Sequence, residues 1–149
     1  MITNRSAPSA TVVPILVYED VGEALTWLCA AFGFTERLRA ERDGVIGHAQ
    51  VSVGDGAIML GRQGGPFRAP QGDEVSAYVH VTVDDVNAHH QRAVRHGARV
   101  MQSPHDMPFG VRQYTAIDPG GHRWTFSQNI ADVAPEAWGA TIRAEDKSS

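Results

Sequence analysis

The chain holds one cysteine, Cys29, no excess of basic residues and no apolar run long enough to cross a bilayer. A single thiol can form neither an internal disulfide framework nor a Cys-rich zinc site, so a reducing cytoplasm is the expected compartment. Lys and Arg number 13 against 17 Asp and Glu, for a net charge of −4, and the cations are scattered. Phosphate backbones demand a basic stripe, so nucleic acid is not an expected partner. The apolar stretch TVVPILVY, residues 11–18, is short, is broken by Pro14, and runs into Glu19 and Asp20. It reads as a strand and not as a signal core or a span, and no membrane partner is expected. Also missing are a GxSxG elbow, a P-loop and GxGxxG. His89, His90 and His96 have the spacing HHxxxxxH and not HExxH, and are expected on exposed or boundary positions of a helix.

What is present is ample material for a core: 149 residues, 42% of them apolar and 20% charged. Residues 1–11 are small and polar, a loose lead-in. A strand follows up to Tyr18, and Asp20 with Glu23 three positions on forms a capping box. Val21, Ala24, Leu25, Leu28 and Phe32 then make one helical face that stops at Gly33. Cys29 lies near that face, where a buried inert thiol is the ordinary case. Extended runs at 35–40 and 45–53 come next, and Gly54-Asp55-Gly56 turns the second into residues 57–62. If Ser52 pairs with Met59 and Gln50 with Gly61, Ala49, Val51, Val53, Ile58 and Leu60 share an oily face. His48, Gln50, Ser52 and Met59 share the other.

Residues 63–74, with three Gly and two Pro, form a linker, and the second half repeats the first. Residues 76–83 alternate as a strand, Asp84 and Asp85 open a helix carrying Val86, Ala93 and Val94, and Gly97 ends it. Residues 99–101 are a short extended run, SPHDMPFG is a loop, and YTAIDPGGHRWTFS at 114–127 is a hairpin around Pro119, Gly120 and Gly121. Closing that loop with Asp118 and Arg123 pairs Ile117 with Trp124. Ile117, Trp124 and Phe126 then face a helix, and Tyr114, Ala116 and Thr125 the other way. The boundaries are thus 12–62 and 75–128 for two modules and 129–149 for a tail, whose first part suits a short docking helix around Trp138 and whose end, AEDKSS, suits disorder.

In this order VYEDVGEALTWLCAAFGF, YVHVTVDDV and DPGGHRWTF resemble the vicinal oxygen chelate superfamily of glyoxalase I, extradiol dioxygenases and bleomycin-resistance proteins. The resemblance, over residues 12–128, implies an α+β fold of two βαβββ modules, open curled mixed sheets around a concave cavity with helices outside. It also implies homodimers. The metal ligands of metal-dependent members, usually His or Gln, Glu, His and Glu, would fall on Val13, Met59, Tyr78 and Thr125. None is a good ligand for a divalent cation, so no metal and no cofactor is expected.

Alternation along the strands assigns the cavity lining: Val13, Ile15, Val17, His48, Gln50, Met59, Tyr78, His80, Thr82, Tyr114, Ala116 and Thr125, with Arg123 at the mouth. The expected ligand contacts are His48, Gln50, Met59, Tyr78, His80, Tyr114, Thr125 and Arg123, around an aromatic or amphipathic organic compound. A binding protein similar to the non-metal bleomycin-resistance branch is the function these residues suggest, as antibiotic or metabolite sequestration. The alternative is a lyase, isomerase or dioxygenase-like enzyme using His48 or His80 as base, or a relocated metal.

Overall fold

The computed structural model describes residues 2–143, so AEDKSS at 144–149 lies outside the described residues. The chain runs β1 (Ile15–Tyr18), α1 (Val21–Phe32), β2 (Thr35–Arg42), β3 (Val45–Val53) and β4 (Gly56–Arg62). It then repeats this order as β5 (Val79–Thr82), α2 (Val86–Arg95), β6 (Arg99–Met107), β7 (Val111–Ile117) and β8 (Arg123–Asn129). Each half folds into a four-stranded sheet, β1-β4-β3-β2 and β5-β8-β7-β6, whose first strand is parallel to its neighbour and whose others are antiparallel. This is the α+β architecture of two βαβββ modules that the family resemblance implies.

The helix starts are local. Asp20 and Asp85 each adopt extended backbone and accept an N–H from the residue three positions on, Glu23 and Ala88. These bonds satisfy amides that the first turn leaves unpaired. Gly33, at φ 75°, ends α1 in a left-handed cap whose N–H reaches the Cys29 carbonyl. Cys29 itself is half-buried, and burial pushes its thiol upward, away from thiolate chemistry.

The helix-bearing faces of both sheets share one core. Phe32 at the end of α1 packs its ring edge-on or tilted against Trp124 and Phe126 of β8, and Phe34 packs tilted against the same two rings. The cluster continues through Leu25, Leu28, Val51 and Leu60 of the first half and Val86, Ala93 and Tyr114 of the second. Polar bonds tie the halves as well. The Trp27 indole donates to the His96 carbonyl at 2.8 Å, and Arg92 donates to the Ala30 carbonyl at the end of α1.

Three expectations are corrected here. In the first hairpin the turn is Gly54-Asp55, so Val53 pairs with Gly56 and Gln50 with Met59, two residues from the expected register. The faces survive, because a slip of two preserves alternation. In the second hairpin Asp118 bonds His122, Ile117 pairs with Arg123, and Tyr114 pairs with Phe126. That slip is one residue, and it turns Tyr114 and Ala116 onto the core face while Ile117 joins Arg123 on the other. SPHDMPFG is mostly strand: β6 extends to Met107 with register shifts around Pro104, tolerated because β6 is an edge. His89 holds one of the expected boundary positions, half-buried beside Val86 and Ala93, and its ring reaches the core.

The tail forms a short 3-10 helix at Pro135–Trp138, whose Trp138 ring lies 5.3 Å from that of Phe109. No helix among the described residues is long and apolar enough to cross a membrane.

Candidate functional site

A cleft of about 1070 Å³ runs along the free edges of β1 and β5, just above the usual range for small-molecule sites. Ile15 and Val17 form one wall, and Tyr78, His80 and Arg123 the other. Segment 66–70, with Phe67, completes the lining. Two aromatic rings stand largely in solvent here, Phe67 at 66% and Tyr78 at 64% exposure. Exposed rings are costly in water and gain by stacking on an organic partner.

The charges of the lining are Arg68, Glu74 and Arg123. Arg68 grips Glu74 with both terminal nitrogens, at 2.7 and 2.8 Å, and with the Gln71 N–H this holds the carboxyl low, at about 2. Arg123 makes no ion pair among the described residues. The Asp118 carboxylate is engaged instead by the Tyr18 hydroxyl and the Trp124 indole. Arg123 is therefore the cation of the lining that no carboxylate neutralises among the described residues.

Thr125 adjoins this cleft in register with His80, and its hydroxyl shares a 2.8 Å hydrogen bond with that of Thr115. It is buried, so it braces the His80 wall more than it offers a contact.

The remaining expected residues form a second group. Met59 pairs in register with Ile15, so the outward face of the first sheet continues from the cleft wall to Met59, Gln50 and His48. Gln50 is only 2% exposed and every part of its amide is used. Its oxygen accepts from Arg37, and its nitrogen donates to His48 Nε2 and to the Ser6 carbonyl, each at 3.1 Å. Accepting at Nε2 places the His48 proton on Nδ1.

Tyr114 belongs to neither group. It is fully buried beneath α2, where its hydroxyl donates to His89 Nδ1 at 2.5 Å while His89 Nε2 donates to the Phe32 carbonyl at 3.0 Å. Burial raises the Tyr114 hydroxyl, and desolvation lowers His89. The one-residue slip at the hairpin is the reason for the misplacement.

Two residues were missed. Arg37 sits at a register shift between Glu36 and Leu38, where alternation gives no guide to facing. Phe67 lies in the linker, and its only signal was an aromatic ring among Gly and Pro.

The family's metal positions fit no metal. Met59 and Thr125 stand on the outward faces with a thioether and a hydroxyl already bonded to Thr115, and Val13 has no donor at all. Among the described residues no three His, Cys, Asp or Glu converge. A hydroxyl, a phenol and a thioether offer neither the charge nor the basicity a divalent cation needs.

Paired βαβββ modules with a ligand-sized cleft at their edges define a class, and the chain belongs to the Glyoxalase/Bleomycin resistance protein/Dioxygenase superfamily, whose sequence model matches residues 10–126. It is 33% identical over 129 residues to the uncharacterized protein Mb0911c of Mycobacterium bovis, covering 80% of this chain and 84% of that one. The uncharacterized protein Rv0887c of Mycobacterium tuberculosis is also 33% identical over 129 residues, at 80% and 75% coverage. Among solved structures the chain is similar to TioX from Micromonospora sp. ML1, with 34% identity, 82% of this chain and 100% of that chain covered, and a TM-score of 0.69. A family enzyme from Burkholderia phytofirmans PsJN, 13% identical, covers 79% of this chain and 97% of its own at a TM-score of 0.63, a likeness of fold alone.

Proposed function

We propose that this protein binds a small aromatic or amphipathic organic compound, without a metal, in the cleft between β1 and β5, in the manner of sequestration of an antibiotic or metabolite. The observation that carries this reading is the pair of exposed rings, Phe67 and Tyr78, facing one ligand-sized cleft with Arg123 unpaired beside them. Two guanidiniums against one carboxylate make the lining net positive, from Arg68, Arg123 and Glu74. A neutral or anionic group suits it better than a cationic one. Tyr78 and Phe67 stack on the planar part, His80 supplies a hydrogen bond, and Arg123 takes the acceptor end. A reducing cytoplasm is the compartment this reading assumes, given the lone thiol.

A homodimer is part of the proposal. Ile15, Tyr78 and Phe67 remain exposed on the single chain, and a second copy bringing its own sheet edge would shield them.

The test is a thermal-shift screen of planar organic compounds, followed by titration of the best compound into the parent, Tyr78→Ala and Arg123→Ala proteins. Tyr78→Ala should weaken binding about tenfold, within the free energy of one aromatic contact. Equal affinity in all three proteins would remove the cleft as the site. Sedimentation at micromolar concentration showing only the 16.1 kDa single chain would remove the dimer.

A further inference from the structure

The outward face of the first sheet is not bare. Arg37 Nη2 donates to two carbonyls of the N-terminal arm, Arg5 at 2.8 Å and Ala7 at 3.0 Å, and Gln50 Nε2 donates to the carbonyl between them, Ser6, at 3.1 Å. Three successive carbonyl oxygens thus sit on donors that project from the outward face of the first sheet. Asn4 shapes the arm for this: its side-chain oxygen accepts the Ser6 N–H, and its carbonyl the Ala7 N–H.

Holding the donors costs the sheet something and holding the arm costs it little. Gln50 is buried and Arg37 gives up a place in the β-ladder register, a built arrangement. The arm's own residues 2–7 are all exposed and bury no apolar side chain. A segment fixed by a few carbonyl bonds and no packing is easily displaced.

We propose that residues 4–7 are a displaceable internal occupant of this face, and that the Arg37–Gln50 donor row is a subsite for the amide or carboxylate oxygens of a bound ligand. This rests on the reading of the protein as a binder of organic compounds and names what one end of the compound must carry. With the arm in place the face is closed, so apparent affinity is reduced by the fraction of time it is open.

The test needs no knowledge of the natural ligand. The probe is the acetylated, amidated peptide of residues 3–9, titrated by NMR into the full-length parent and into full-length Ser6→Pro. That substitution removes the Ser6 N–H that Asn4 holds and leaves Arg37 and Gln50 untouched. The peptide should bind Ser6→Pro about tenfold more tightly than the parent, as for a face otherwise closed about nine-tenths of the time. Adding Arg37→Ala to Ser6→Pro should abolish the gain, with sheet amide resonances unmoved. Equal binding to parent and Ser6→Pro, no binding to either, or indifference to Arg37→Ala would each overturn the proposal. Tyr78→Ala is the control for the cleft. It should leave the peptide titration unchanged while weakening the organic compound, so failure of one reading is seen apart from failure of the other.

Discussion

Tyr18 and Asp118 are 100 positions apart in the chain and joined by a buried 2.6 Å hydrogen bond, hydroxyl to carboxylate. It links the end of β1 to the hairpin of the other module. The same carboxylate oxygen accepts the Trp124 indole N–H at 3.0 Å, and the other accepts the His122 amide. Burial and the nearby carboxylate both raise the Tyr18 hydroxyl, which stays a donor at any physiological pH. Tyr18→Phe should cost about 1.5–3 kcal/mol, the range for a hydrogen bond to a charged group. Urea unfolding followed by tryptophan fluorescence reads this, and a loss below about 0.5 kcal/mol would show the link to be slack.

Gly120 lies under the Tyr18 ring, where an added Cβ would collide with the ring edge. Gly120→Ala should therefore destabilise by about 1–3 kcal/mol, the usual cost of overpacking. In the Tyr18→Ala background the two losses should add to less than their sum, since the obstacle is gone. Full additivity would mean the clash is relieved elsewhere.

Tyr78 and Tyr114 should part company on mutation. Tyr114→Ala opens a core cavity and strands His89, for a loss of about 3–5 kcal/mol. Tyr78→Ala, at an exposed position, should leave stability within about 0.5 kcal/mol while weakening the organic ligand. Thermal melts and titrations on the two variants separate these roles.

His89 makes stability depend on pH. Desolvation, aided by the Arg92 charge and opposed by the Phe32 carbonyl, lowers its folded-state pKa below the free imidazole value of about 6.5. As pH falls the unfolded chain takes the proton first, so this contribution is intact above about pH 6.5 and is lost as pH drops towards the folded value. The stability advantage of the parent over His89→Gln should thus narrow between about pH 8 and pH 5. A gap that stays constant, or widens, contradicts this.

Metal should be absent at the family position. Elemental analysis of freshly purified protein should find far less than one Zn, Mn, Fe or Ni per chain, and a chelator should leave the melting temperature unmoved. A metal present at about a hundredfold its dissociation constant would add about 2.7 kcal/mol, so a bound ion would not escape the melt.

Both modules were legible because their signals are local: Asp20 and Asp85 as caps, Gly33 as a stop, and alternation in β3 and β4. Register was not, because it depends on how each loop closes. Gly54-Asp55 and Asp55-Gly56 are both good two-residue turns, and choosing between them moves the pairing by two and harms no face. The Asp118 loop holds five residues between paired positions where four were counted, and that single residue exchanged Tyr114 for Ile117. What tips it is Asp118 turning its carboxylate inward to Tyr18, a contact no local pattern contains. The same holds for His89, whose period with Val86 and Ala93 was visible but whose partners, Phe32 and Tyr114, come from other elements. Arg37 and the arm were hidden for the opposite reasons: a bulge breaks alternation, and an exposed polar segment offers no pattern to break.

His122 donates from Nε2 to the Val17 carbonyl, on the side of β1 that faces away from β4. Each sheet has two unpaired borders, and this bond shuts one of them to any foreign strand. The border at β2 is a run dense in charges of both signs, TERLRAER, and the border at β6 is interrupted by Pro104. Among the described residues β5 alone of the four carries no such guard, and it flanks the cleft. The open edge of the second sheet and the exposed rings of Tyr78 and Phe67 thus border the same cleft, so a strand added at β5 would narrow its entrance.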